Sequence, residues 1–184
     1  MARIKTDPAS GPCVQLDRYT PAYFTFIANK LARGASSHYL DFYGVGIETW
    51  RVMVMLAIEQ KVTAQRVCQL IGMDKGSVSR TFKSMHARGF ILFSSDTQDG
   101  RLRYAAFTAS GRALHDRIMR LALERENAFL SVLSPQEVET LIDLLRRLHE
   151  NLPNVELQSG EFVLAEKATF TEADKVKSIK APKA

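Results

Sequence analysis

Cysteine is almost absent from this 184-residue chain: Cys13 and Cys68 are the two, neither belongs to a CxxC, and no histidine stands at ligand spacing from either. That excludes a disulfide framework and a cysteine-based metal centre. No apolar run approaches the roughly 18 residues needed to span a bilayer. The N-terminal Met1-Ala2-Arg3-Ile4-Lys5-Thr6-Asp7 lacks the apolar core of a signal peptide. A cytoplasmic protein without membrane association is therefore expected. Catalytic spacing is missing too: no Ser/His/Asp or paired-carboxylate arrangement stands out, and His86, His115 and His149 are scattered through helical segments without partners. We expect no enzyme, no cofactor and no metal. What the chain does have is apolar material, 46% of its residues against 24% charged, enough for one domain of ordinary size with an extension. It contains no internal repeat.

The net charge of +5 is unevenly placed. Residues 61–103 carry 8 basic and 3 acidic groups, a net of +5, so the excess of the whole chain equals that of one 43-residue stretch. An electrostatic footprint for a polyanion belongs there.

Residues 1–19, with Pro8, Gly11 and Pro12, read as a loose arm. Thr20 is a candidate N-cap with Pro21 at the first helical position, opening a helix that carries Phe24, Ile27, Ala28 and Leu31 to about Tyr39 or Leu40. Gly44 and Gly46 break it. A second helix carries Ile47, Trp50, Val54, Ala57 and Ile58, with Val52, Met53 and Leu56 widening its apolar surface, and ends at the polar Glu59-Gln60-Lys61.

Two short helices follow. Thr63 can cap one that ends near Ile71, Gly72 suits the left-handed position after it, and Asp74 can cap the next. The second places Val78, Phe82 and Met85 on an apolar stripe, and its opposite side presents Gly76, Ser79, Arg80, Lys83 and Ala87, with Lys75 and Ser77 at the N-terminal end. Gly89 ends it. Phe90 to Ser94 reads as a strand, the polar Ser95 to Gly100 as a turn, and Arg101-Leu102-Arg103-Tyr104 as a returning strand with both arginines on one side. Thr108 is the expected N-cap of a long helix to about Ser131, carrying Leu114, Ile118, Leu121, Ala122 and Phe129. Ser134-Pro135-Gln136-Glu137 is a capping box that opens a last helix through Leu141, Ile142, Leu144, Leu145, Leu148 and Leu152. Pro153 is expected to stop it, leaving residues 153–184 as a flexible C-terminal tail.

Helix, turn, helix and basic hairpin make a winged helix-turn-helix. In that plan the second helix of the pair enters the major groove of DNA and the hairpin tip reaches the adjacent minor groove, whose negative potential attracts arginine. The fold expected is mainly α with a small β-hairpin wing: a DNA-binding lobe at 47–107 plus a helical dimerisation region at 20–43 and 108–152.

From about Tyr19 to Leu152 the chain resembles the MarR family of bacterial transcriptional regulators. The resemblance rests on Gly46-Ile47-Glu48-Thr49-Trp50-Arg51-Val52, Met73-Asp74-Lys75-Gly76-Ser77-Val78-Ser79-Arg80, Asp99-Gly100-Arg101 and Thr108-Ala109-Ser110-Gly111-Arg112-Ala113-Leu114, in that order. It implies a homodimer built from the first and last two helices, reading a palindromic operator. It also implies that Ser77, Ser79, Arg80 and Lys83 face the groove and that Arg101 enters the minor groove braced by Asp99; Lys75, at the N-terminal end of the same helix, and Arg103, against a phosphate, are expected as further DNA contacts. Phe93 departs from the pattern where an Arg is common, and Phe107 where a Leu is usual. His38, Tyr39, Trp50 and Arg51 fall where the family's small-molecule pocket forms, which suits an aromatic or phenolic acid. The expected function is a repressor released by such a ligand. Two rivals are a winged helix used for protein interaction and a redox-sensing regulator working through Cys13.

Overall fold

The computed structural model describes residues 4–7, 11–95 and 103–169. The described chain falls into two compact units, one ending at Glu126 and the other beginning at Asn127.

The first unit opens with a hairpin where a loose arm was expected. β1 (Ile4–Asp7) pairs antiparallel with β2 (Gly11–Val14), Ile4 opposite Val14 and Asp7 opposite Gly11. Gly11 and Pro12, read as looseness, are the first residues of β2, and Gly11 takes the positive φ, 77°, that a side chain would strain. After a single 3-10 turn comes α1 (Thr20–Tyr43). Its N-cap is Tyr19 rather than Thr20, so Thr20 and Pro21 are the first two helical residues. The helix runs past the expected end at Leu40 because nothing breaks it before Gly44, which closes it at φ 66° with its N–H on the Leu40 carbonyl.

α2 (Ile47–Glu59) is the central post of the core. Val52, Met53, Met55 and Leu56 are its buried residues. Trp50 and Val54, on the stripe read from the sequence, are half-buried, and Ile58 is exposed. The correction follows from the cover: α1, α3 and α4 all pack against this helix, so the side facing them decides burial. β3 (Lys61–Val62), too short to show any periodicity, was not foreseen.

The expected pair of helices follows. Thr63 Oγ1 accepts the Arg66 N–H and caps α3 (Ala64–Ile71), Gly72 turns at φ 67°, and Asp74 caps α4 (Lys75–Ala87). Val78, Phe82 and Met85 of α4 are buried as the stripe predicts. β4 (Ile91–Ser95) and β5 (Arg103–Phe107) then form the wing, with Ile91 opposite Phe107 and Ser95 opposite Arg103. The sheet order is β3-β5-β4, three strands rather than a two-stranded hairpin.

α5 (Ala109–Leu130) starts at the expected cap, Thr108 Oγ1 accepting the Gly111 N–H at 3.0 Å. A Cβ on Gly111 would collide with the Phe90 carbonyl oxygen, so the helix docks on the wing's root through a bare backbone. In the second unit α6 (Pro135–Glu150) carries the full capping box of Ser134 and Glu137. A tail was expected beyond it, but Leu152–Thr169 form α7. Pro153 does not stop a helix there: it sits in the first turn, where its missing N–H costs no bond, and the Val155 N–H bonds back to Asn151. The rest of the expected tail, 170–184, lies outside the described residues.

Among the described residues no helix is long and apolar enough to cross a membrane, and no group of three or more His, Cys, Asp or Glu could hold a metal ion.

Candidate nucleic-acid interface

The exposed face of α4 is built from its cap outward. The Asp74 carboxylate accepts the Ser77 N–H at 2.9 Å. Hydrogen bonding from Ser77, side chain first, holds the Asp74 carboxyl below its ordinary range, with the nearby Arg80 charge adding to the effect. A fixed negative group at the positive end of the helix suits the helix dipole.

Arg80 leans back along the helix toward that end. Its Nη2 donates to Ser77 Oγ at 3.0 Å, and a Cβ on Gly76 would lie 3.2 Å from Nη1 and 3.1 Å from the Asp74 carboxylate. Backward lean is the normal direction of a helical side chain. The glycine therefore makes room for the guanidinium. Lys75, Ser79 and Lys83 are exposed on the same helix and Ser77 is half-buried, so all five residues expected on this face lie together at the surface of the lobe. Beside them Gly46, Glu48 and Thr49 of α2 and Ser77, Arg80, Thr81 and Ser84 of α4 line an open concavity of about 400 Å³.

The wing supplies the next cation. Arg103 lies diagonally across the ladder from Phe93, and its guanidinium sits 4.4 Å above the Phe93 ring. Phe93 in turn packs against Phe82 at 6.0 Å and His86 at 5.0 Å, centroid to centroid. The residue that departs from the family's common arginine is thus a platform that holds Arg103 against α4. Lys61 of β3 lies 4.8 Å over Tyr104 on the same sheet. Arg101 and Asp99, expected at the wing tip, lie outside the described residues.

Among the described basic groups of 61–103, Arg66 and Arg88 are engaged with other parts of the chain. Arg66 is paired with Glu59 at 2.8 Å, and Arg88 donates to the Gly44 carbonyl at 2.7 Å. Glu59 offsets the charge of Arg66, whereas Arg88, bonded to a neutral carbonyl, keeps its own.

The expected ligand-pocket residues divide. Tyr39 and Trp50 meet edge to face at 5.9 Å, but His38 is exposed and Arg51 half-buried, and neither enters their stack. The ring that does was set aside on the sequence: His115, only 4% exposed, stacks on Trp50 at 5.4 Å and lies 5.7 Å from Phe107, with Nδ1 2.8 Å from Asp116. That interaction with His115 is the main cause holding the Asp116 carboxyl below its ordinary range. His86 also has a partner, the Ile91 carbonyl at 3.1 Å. The Trp50 stack crosses a tertiary contact and the Ile91 acceptor is a backbone carbonyl, so residue spacing signals neither, whereas Asp116 is simply the next residue in the sequence. Burial pushes the Tyr39 phenol above its ordinary value.

Comparison with known proteins converges on one assignment. The MarR family model matches residues 43–102, from the last residue of α1 to the residue before β5. An uncharacterized HTH-type transcriptional regulator of Bacillus subtilis is 22% identical over 125 residues, 68% of this chain and 73% of that protein. Among solved structures, a MarR/EmrR family transcriptional regulator from Acinetobacter superposes with a TM-score of 0.71 at 28% identity, covering 77% of this chain and 99% of that one. Two more share the fold at 18% identity. E. coli MarR in complex with operator DNA has a TM-score of 0.62 and covers 70% of this chain and 91% of its own. Bordetella bronchiseptica BpsR, whose DNA binding is regulated by 6-hydroxynicotinic acid, has a TM-score of 0.66 and covers 74% and 97%. Residues 43–102 thus match the MarR family model, and over 77% of its length the chain shares the fold of a MarR/EmrR family transcriptional regulator to which it is 28% identical.

Proposed function

We propose that the protein is a homodimeric repressor that binds a palindromic operator through α4 and the wing and is released by a small aromatic or phenolic acid. One observation carries the reading: α4 buries Val78, Phe82 and Met85 and leaves Lys75, Ser77, Ser79, Arg80 and Lys83 together on its opposite face. A helix anchored that way can enter a major groove with polar and cationic side chains toward base edges and phosphates. Arg80 is the base reader in this account, Arg103 a phosphate contact, and Arg101, braced by Asp99, the minor-groove contact. The E. coli relative carries operator DNA, which supports this use of the shared fold.

The dimer is supported by unburied apolar surface. Tyr23, Phe24, Phe26 and Ile27 on α1 and Ile142, Leu145 and Leu148 on α6 are exposed in the single chain. A second copy would cover them, with each recognition helix in one of two successive major grooves about 34 Å apart. The ligand is assigned to the surroundings of Tyr39 and Trp50, with His38 and Arg51 as polar partners. BpsR, regulated by an aromatic acid, supports that chemical class. A coupling of about 1–3 kcal/mol between ligand and DNA would change operator affinity roughly 5- to 150-fold.

The test is fluorescence anisotropy with sites selected from random DNA and with the DNA flanking the protein's own gene, over a salt series against nonspecific competitor. Competitor-resistant binding with a steep salt slope is expected. Equal, weak affinity for every sequence would defeat the operator reading.

A further inference from the structure

We propose that Arg88 is a positioning residue for DNA reading: it is the strut that sets the angle of the recognition helix against α1 and α5. The inference rests on the operator reading above for its consequence, and on the following geometry for its cause.

Arg88 is the first residue after α4 and bonds its N–H to Ser84. Its Nη1 donates to the Gly44 carbonyl at 2.7 Å, across 44 residues of sequence. Gly44 is the C-cap of α1, so the guanidinium meets the negative end of that helix. Gly44 is held at φ 66°, where a side chain would be strained, and a Cβ there would make only ordinary contact with Nη2, at 3.5 Å. The guanidinium carbon also lies over the Phe90 ring, 4.7 Å from its centroid. A planar, delocalised cation can satisfy both partners at once, which a lysine ammonium cannot.

The two residues that follow hold the other long helix. The Gly89 carbonyl accepts Thr108 Oγ1 at 2.6 Å and Ser110 Oγ at 2.8 Å. The Phe90 carbonyl accepts the Thr108 N–H at 3.0 Å and lies against Gly111 of α5. Arg88, Gly89 and Phe90 therefore tie the end of the recognition helix to the end of α1 and to the start of α5. Of these ties the one to α1 is a single exposed side chain, so it can be cut without opening the core. In a dimer built on α1, the same tie would fix the distance between the two recognition helices.

The experiment uses the full-length protein, with Arg88→Met and Arg88→Lys, and with Arg66→Met as a control that removes an arginine of the same lobe engaged elsewhere. Two quantities are read. One is affinity across operators whose half-sites are moved apart or together by one base pair. The other, independent of DNA, is amide hydrogen exchange at Gly44 and Val45, whose N–H groups bond to Leu40 and Tyr39, relative to the core amide of Val78.

Arg88→Met is expected to lower affinity for the native spacing about fivefold or more and to flatten the spacing profile. Exchange at Gly44 and Val45 should rise severalfold while Val78 is unchanged. Arg88→Lys, which keeps the charge and loses the stack, should fall between it and the parent, and stands in if Arg88→Met does not fold. An unchanged profile with unchanged exchange, or the same losses in Arg66→Met, would overturn the proposal. Should the parent protein show no operator preference, the operator reading fails, while exchange at Gly44 still decides whether the strut exists.

Discussion

The α4 and α6 helices carry apolar stripes with the same spacing, Val78, Phe82 and Met85 in one and Leu141, Leu145 and Leu148 in the other. All three are buried in α4, whereas α6 has no buried residue at all. Both helices are closed at the N-terminus by side-chain caps, Asp74 in one and Ser134 with Glu137 in the other. Local structure is therefore equally well specified in both, and what differs is cover. The stripe of α4 packs under α2, α3 and β4 of its own chain. That of α6 is left for a second copy, in the account proposed above. Periodicity locates an apolar stripe and says nothing about which chain covers it.

Substitutions in the two stripes should separate those cases. Phe82→Ala removes a buried ring and is expected to cost about 3–5 kcal/mol, seen in urea melts and independent of protein concentration. Leu145→Asp should instead act through association: sedimentation should show the dimer dissociating at protein concentrations at least tenfold higher than for the parent, roughly 1.4 kcal/mol or more. An unchanged mass across the dilution series would remove α6 from the interface.

The opposite, exposed face of α4 has its own test. Arg80→Ala is expected to leave the melt nearly unchanged and to weaken operator binding by about 1–3 kcal/mol with relaxed base preference at one position. A loss equal on all sequences would make Arg80 a phosphate contact. A smaller effect is expected at the neighbouring cap. Thr63→Ala removes the Oγ1 that accepts the Arg66 N–H and should cost about 1 kcal/mol, measured by thermal unfolding.

Acid should weaken both capped helices. Asp74 and Glu137 have carboxyl groups held below their ordinary values by hydrogen bonds, from Ser77 in one and Ser134 in the other. Their contribution is therefore complete above the unfolded carboxylate range and is lost as pH falls through the lower folded values. Between pH 6 and about pH 3 the melting temperature should fall, and Asp74→Asn, which keeps a cap oxygen without the charge, should make the fall shallower. An Asp74→Asn profile identical to the parent's would show that the cap is not coupled to stability.

Much of the lobe was legible because its boundaries are local. Thr63, Gly72, Asp74, Thr108 and the Ser134–Glu137 box each act within a few residues of where they stand, and each is found doing so. The faces of α4 were legible for the same reason. What failed to show were features made by distant contacts or by proline and glycine in a second role. β3 exists because Lys61 and Val62 pair with Ala106 and Ala105, more than 40 residues away. The stacking of His115 on Trp50 joins α5 to α2, and neither residue's own helix announces the other. The pairing of β1 and β2 was taken for a loose arm and α7 for a tail, because Gly11 and Pro153 were read as breakers where one begins a strand and the other sits in the first turn of a helix.

The most direct test of the central claim is hydroxyl-radical footprinting of the protein on its selected site, with missing-base interference to mark the bases read. The account predicts two equivalent patches whose centres lie about 10–10.5 base pairs apart, with interference in the major groove of each that disappears in Arg80→Ala. A single unpaired patch, or protection that follows the backbone with no base interference and is indifferent to Arg80, would contradict it.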